Sequence, residues 1–137
     1  MQSSARILCV DDDPVLLSAI TELLTLRGYE VTAVSTGRAA VEHIREEFDL
    51  VMLDYDLPDW NGDVVAEHWK REHPAVPILL LSGCLDLPPH ALDHVDAYLG
   101  KGAALDRLFS TVSKLVHHHF THAVARAFAA SPSKAAV

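Results

Sequence analysis

Cysteine is scarce in this chain, with only Cys9 and Cys84 among 137 residues. Two distant thiols exclude a disulfide-built scaffold and match no paired zinc spacing. We read both as reduced thiols, as expected of a cytoplasmic protein. There is also no run of lysine and arginine, and 19 acidic residues against 11 basic ones leave a formal charge of −8. A nonspecific grip on nucleic acid or an anionic membrane needs a basic face, so direct nucleic-acid binding is not expected. No apolar run approaches the roughly 18–20 residues that cross a bilayer, and membrane insertion is not expected either. The first six residues lack the charged start and apolar stretch of a signal peptide. What is present is a globular balance, half hydrophobic and 22% charged, at a length that suits one domain.

Short apolar runs alternate five times with segments of helical period. Ile7-Leu8-Cys9-Val10 ends in Asp11-Asp12-Asp13-Pro14, and Pro14 suits the first turn of a helix. Leu16, Leu17, Ile20, Leu23 and Leu24 then recur at helical spacing up to a capping Gly28. Residues 30–34 read as a second strand. A helix carrying Ala40, Val41, Ile44 and Phe48 is expected after Gly37. The third strand, 50–53, stops at Asp54. A turn-rich stretch, Leu57-Pro58-Asp59-Trp60-Asn61-Gly62, leads to a helix with Val64, Val65, His68 and Trp69. A fourth strand is expected over 77–81 and a fifth over 95–99. A short helix near Pro88-Pro89 separates them, and a last helix starts near Ala103. Strands so short and continuously apolar fit a parallel sheet covered on both faces. The fold expected is a doubly wound α/β sandwich, whose ligand sites lie beyond the carboxyl ends of its strands.

Polar residues stand at four of those five ends: Asp11 and Asp12, Asp54, Ser82, and Lys101 just past the fifth. Asp11, Asp12 and Asp54 would bring three negative charges together, which repel and raise one another's pKa. A divalent cation plus Lys101 balances them. Carboxylates with no histidine or thiolate partner favour Mg²⁺ or Mn²⁺ over zinc. Asp54 is then a nucleophile that forms an acyl phosphate. Lys101 and the metal stabilise the equatorial oxygens, and the Ser82 hydroxyl donates to one of them. The backbone carbonyl of Asp56 is a further candidate ligand. Asp13 reads as a helix-start residue instead.

The stretches 7–13, 49–62, 77–83 and 97–101, taken together, resemble the receiver domain of two-component response regulators, of the chemotaxis single-domain type. The resemblance spans residues 5–117 in the correct order, with 118–137 left as a helical extension or tail. It implies a flavodoxin-like fold of five parallel strands, an acidic metal pair at Asp11 and Asp12, and a phosphoacceptor at Asp54. It also implies a switch hydroxyl at Ser82, a phosphate-sensing Lys101 and an aromatic switch at Tyr98. The implied donor is a phosphohistidine on a sensor histidine kinase or phosphotransfer protein, and the implied output is a protein partner. Such a domain is a phosphoacceptor rather than an enzyme, with at most self-phosphorylation and self-dephosphorylation. Two departures stand out. Gly102 replaces the proline that usually follows the lysine, often through a cis bond, and a non-proline cis bond costs about 2.5–4 kcal/mol. The segment from Gly83 to Val95 is short, so the fourth helix is expected to be stunted.

Other readings are weaker. The acidic run alone is equally well explained as favourable charge at a helix start. A haloacid-dehalogenase phosphatase shares the Asp54-Tyr55-Asp56 pattern, but its motifs come in another order. An unphosphorylated receiver-like module would not need all five key side chains. A DNA-binding regulator would need more residues after the receiver than this sequence has, and Met1 close to the first strand suggests a standalone chain. His117, His118, His119 and His122 read as a polar helix surface.

The tail departs from the family pattern. Leu105, Leu108, Phe109, Val112, Leu115, Val116, Phe120, Val124 and Phe128 continue one apolar stripe. A helix over 105–128 would be about 36 Å long, longer than the domain is wide. It is expected to pack against a second copy, as a homodimer, or against an output partner. The alternative is that the alanine-rich residues 123–136 fray or fold back onto the same domain.

Overall fold

The computed structural model describes residues 4–83 and 86–129, with Cys84 outside them. Five strands, β1 (Arg6–Val10), β2 (Glu30–Val34), β3 (Leu50–Asp54), β4 (Ile78–Ser82) and β5 (Ala97–Gly100), pair in parallel in the order β2-β1-β3-β4-β5. Helices α1 (Pro14–Leu26), α2 (Gly37–Glu42), α3 (Gly62–Glu72) and α4 (Leu105–Ala129) connect and flank them, with one 3-10 turn at Pro89–Leu92.

Alternation along the strands builds two cores. Ile7, Cys9, Leu50, Met52, Leu79, Leu81 and Leu99 pack with Ile20 and Leu24 of α1 and with Leu108, Val112 and Val116 of α4. The intervening residues, Leu8, Val10, Val51, Leu53, Ile78 and Leu80, face Ala40 of α2 and Val65, Ala66 and Trp69 of α3. Trp69 is fully buried, its indole N–H donates to the Ala40 carbonyl at 3.1 Å, and Phe48 meets its ring edge-on at 5.9 Å. Burying a large side chain of this kind contributes about 3 kcal/mol. It ties α3 to α2 on one face of the sheet.

Local chemistry explains the helix ends. Asp13 is the N-cap of α1, its carboxylate accepting from the N–H groups of Val15 and Leu16, as its reading as a helix-start residue requires. Gly28 follows α1 with φ 95°, a conformation glycine adopts without a side-chain clash. Three expectations meet a different or sharper outcome. α2 ends at Glu42, and Phe48 lies outside it, in the loop before β3. Phe48 is held there by the Arg6 guanidinium 4.9 Å from its ring and by Trp69. β5 begins at Ala97 rather than at residue 95. The fourth helix, expected to be stunted, is reduced to the 3-10 turn, which His90 ties to Asp63 of α3 at 3.1 Å.

α4 is one continuous helix through the end of the described residues. His119 turns back to the domain, 3.2 Å from the Ala75 carbonyl and 3.6 Å from the Asp49 carboxylate. Arg126 lines a cavity of about 270 Å³ with Glu47, Phe48, Glu72 and His73. Elsewhere on the same helix Phe120, Val124 and Phe128 stay exposed. No helix among the described residues is long and apolar enough to cross a membrane.

Candidate functional site

The parallel register brings the strand ends to one edge. Leu53 lies beside Val10, Asp54 beside Leu81, and Ser82 beside Gly100. Residues one or two places beyond those pairs therefore meet. Asp11, Asp12 and Asp54 each place a carboxylate oxygen within 4.8 Å of the others, the only such acidic or histidine group among the described residues. Asp11 and Asp54 are buried, whereas Asp12 is exposed. The Lys101 ammonium reaches in from the loop after β5, 3.0 Å from Asp54 Oδ2 and 3.1 Å from Asp11 Oδ2. Its backbone N–H donates to the Ser82 carbonyl at 2.8 Å, which fixes the base of the lysine against β4.

Each buried carboxylate is oriented by the backbone next to it. Asp11 Oδ1 accepts from the Asp13 N–H at 2.9 Å, and Asp54 Oδ1 accepts from the Asp56 N–H at 3.2 Å. Asp11 Oδ2 is buried and accepts no well-formed hydrogen bond; its counter-charge is Lys101. Burial pushes the Asp54 carboxyl up to about 6; the Lys101 hydrogen bond opposes this and the Asp11 charge adds to it. Burial works against the charge of Lys101, but the hydrogen bond to Asp54 and the facing Asp11 carboxylate raise its pKa overall. The site thus concentrates negative charge, with Lys101 facing two buried carboxylates. An oxygen-rich cluster of this kind fits a hard divalent cation.

The other predicted residues take different places. Ser82 is buried at the end of β4, adjoining the acidic group. Tyr98 lies three residues before Lys101 on β5, partly buried against the core on the α2–α3 side. The Asp56 side chain is exposed and stands outside the carboxylate group, so only its backbone is a candidate ligand. No peptide bond among the described residues is cis, and a side chain at Gly102 would meet open space. Cys9 is buried next to this edge. Burial, with a smaller contribution from the Asp11 charge, pushes its thiol up to about 12, so it stays protonated. Among the described residues His117, His118 and His119 belong to no metal group, and the His122 side chain lies outside those residues.

A sheet of order 2-1-3-4-5 with an acidic cluster and a lysine at its carboxyl edge defines a flavodoxin-like class of α/β domain with a cation-ready edge. Comparison with known proteins places the chain in it. The family model of the response regulator receiver domain matches residues 7–113, and the chain belongs to that family. It is 34% identical over 126 residues to the transcriptional regulatory protein ZraR of Escherichia coli, covering 86% of this chain and 27% of that one. The chain spans about a quarter of the length of such curated relatives. Among solved structures it resembles a CheY-like receiver domain protein from Methanospirillum hungatei, at 27% identity and TM-score 0.83, over 88% of this chain and 99% of that one. It also resembles the response regulator TrrA from Thermotoga maritima, solved in complex with Mg²⁺-BeF, at 31% identity and TM-score 0.74, over 81% and 98% of the two chains.

Proposed function

We propose that the protein is a phosphoacceptor that takes a phosphoryl group onto Asp54 and passes the resulting change of shape to a protein partner. The observation that carries this reading is the buried Asp54, facing Lys101 at 3.0 Å and grouped with Asp11 and Asp12. A carboxylate oxygen of Asp54 attacks phosphorus, the P–N bond of a phosphohistidine breaks, and the donor imidazole, already protonated on its other ring nitrogen, leaves as the neutral ring. The donor class is a histidine kinase or phosphotransfer protein. In support, TrrA has also been solved in complex with the histidine kinase ThkA, and the chain matched in that complex is 30% identical to this one. Asp11, Asp12, Asp54 and the Asp56 carbonyl would hold Mg²⁺, or Mn²⁺ with the same donors. When bound, the cation neutralises carboxylates and draws charge from the phosphoryl oxygens. Lys101 supplies a fixed positive charge to those oxygens, and Ser82 a hydroxyl. Incubation with acetyl phosphate and Mg²⁺ should add one phosphoryl group by intact mass, and chelation of Mg²⁺ should prevent it. An unmodified wild-type protein in saturating Mg²⁺ would refute the reading.

Ser82 and Tyr98 are the proposed switch. The hydroxyl follows the phosphoryl group and vacates space for the ring, a two-state element biased by local charge. Tyr98→Ala should leave the labelling rate within about threefold of wild type, Ser82→Ala should label more slowly for want of its hydroxyl but still to completion, and both should lose the phosphorylation-induced change in tryptophan fluorescence. Identical spectral changes in all three proteins would remove these residues from the switch.

The output surface is proposed to include α4, whose residues Phe120, Val124 and Phe128 are 43%, 53% and 76% exposed. Residues four apart on a helix share one face, and this face suits a second copy in antiparallel pairing or an output partner. Truncation after His117 should reduce self-association in light scattering without affecting labelling of Asp54. Full-length protein that stays monomeric at high concentration, with and without phosphodonor, would leave only the output partner.

A further inference from the structure

The segment joining Asp54 to α3 folds tightly at its base. Asp56 pairs with Asn61 in an antiparallel bridge, and the Gly62 N–H donates to the Tyr55 carbonyl at 2.6 Å. A Cβ on Gly62 would lie 2.6 Å from the Asp54 carbonyl oxygen and 2.8 Å from Tyr55 Cα, so only glycine lets α3 start so close to the acceptor strand. These contacts lie within the segment itself. Its tip is held from elsewhere.

Asp59 sits at that tip and grips α2. Its Oδ1 accepts from the Gly37 N–H at 2.8 Å, its Oδ2 from the Arg38 N–H at 2.9 Å, and Oδ1 also from the Trp60 N–H at 2.9 Å. The two α2 donors are first-turn N–H groups that no carbonyl within the helix can satisfy. Hydrogen bonds to the Arg38, Gly37 and Trp60 N–H groups hold the Asp59 carboxyl below its ordinary range. Trp60 then stacks on His68 of α3, ring centres 5.8 Å apart and planes 20° apart. Gly37 approaches so closely that a Cβ there would lie 2.9 Å from Val65, 3.1 Å from the Trp60 ring and 3.2 Å from Asp59. The clamp therefore joins α2, the 54–62 segment and α3, and it lies outside the carboxylate cluster.

We propose that Asp59 is a positioning residue for the divalent-cation site: by fixing the tip of the 54–62 segment to α2, it pre-orders the Asp56 backbone that would complete the ligand set. A donor carried on an unanchored segment must be ordered when the cation binds, and that ordering is subtracted from affinity. Asp59 itself touches neither cation nor phosphoryl group. The inference rests on the cation-dependent phosphoacceptor reading of this edge.

The test is a titration of the full chain with Mg²⁺ alone, followed by calorimetry and by tryptophan fluorescence, in about 0.5 M salt. At that ionic strength the field of a surface carboxylate is screened within a few ångströms. Asp59→Ala should weaken Mg²⁺ binding about fivefold or more. Asp59→Asn keeps one acceptor oxygen and should weaken it by a smaller factor. In acetyl phosphate labelling, Asp59→Ala should need more Mg²⁺ for half-maximal rate, yet reach a rate at saturating Mg²⁺ within about twofold of wild type. A purely structural defect would lower that limiting rate as well, and an Asp59→Ala rate that Mg²⁺ does not restore overturns the proposal. So does Mg²⁺ affinity equal to wild type. If Asp59→Ala does not fold, Asp59→Asn decides by the same criterion. If wild type binds Mg²⁺ but takes no phosphoryl group, the phosphoacceptor reading fails while the binding titration still judges Asp59.

Discussion

Asp54→Asn should carry no phosphoryl group under conditions that label the wild-type protein to completion, a fall of at least about 100-fold in labelling rate. The substitution keeps the size of the side chain and an acceptor for the Asp56 N–H but removes the charged carboxylate that acts as nucleophile. The neighbouring acids are poorly suited to replace it. Asp11 is engaged by Lys101 and by the Asp13 N–H, and Asp12 is exposed at the rim. The Asp56 side chain stands outside the group, leaving only its backbone to contribute. Intact mass after incubation with acetyl phosphate and Mg²⁺, with peptide mapping of any labelled product, checks this. Label on another residue of the Asp54→Asn protein at the wild-type rate would move the acceptor and with it the proposed chemistry.

Much of this site is legible in the sequence because a parallel sheet converts order along the chain into position at one edge. Apolar runs end at Val10, Leu53 and Leu81, and the residues just beyond them, Asp11, Asp54 and Ser82, converge as the register requires. Lys101 is legible for the same reason. Asp59 is not, since its partners are backbone N–H groups of Gly37 and Arg38 more than twenty residues earlier. Backbone donors leave no mark in side-chain pattern. The end of α2 is hidden for a related reason. Ile44 and Phe48 keep helical spacing after Val41, yet Phe48 belongs to the loop, where Arg6 and Trp69 hold it. Spacing alone does not separate the next turn of a helix from a loop residue drawn into the same core. The stripe on α4 shows the opposite effect. Leu108, Val112, Val116, Phe120, Val124 and Phe128 repeat every four residues, and such a row drifts around the axis by about 40° at each step. The first three are buried, whereas the last three are exposed, and the helix meets its own domain through His119 instead. One uninterrupted apolar stripe therefore contains an internal face and an external one.

In the absence of divalent cation, the wild-type protein should be less stable than Asp54→Asn near neutral pH, and the difference should shrink as the pH falls. Asp54 has an ordinary pKa of 3.8 and is pushed up to about 6 in the fold. The folded state therefore holds its proton more tightly than the unfolded chain does. The corresponding stability is complete below about pH 4 and is lost as the pH rises through about 6. A pKa raised by about two corresponds to roughly 3 kcal/mol as an upper bound, which water at the open rim of the site lowers to about 1–2 kcal/mol. The amide of the variant has no proton to lose, so this step is missing from it, although it gives up the charged hydrogen bond to Lys101. Chemical unfolding in chelator, from about pH 4 to about pH 7.5, measures the difference between the two proteins and cancels the titration of groups they share. Added Mg²⁺ should then stabilise wild type more than the variant, because a ligand bound only by the folded state adds about 2.7 kcal/mol at a hundred times its Kd. A stability difference that stays flat across this pH range would mean that the Asp54 charge is already compensated without a cation. The acidic cluster would then not be the electrostatic demand that a divalent ion answers.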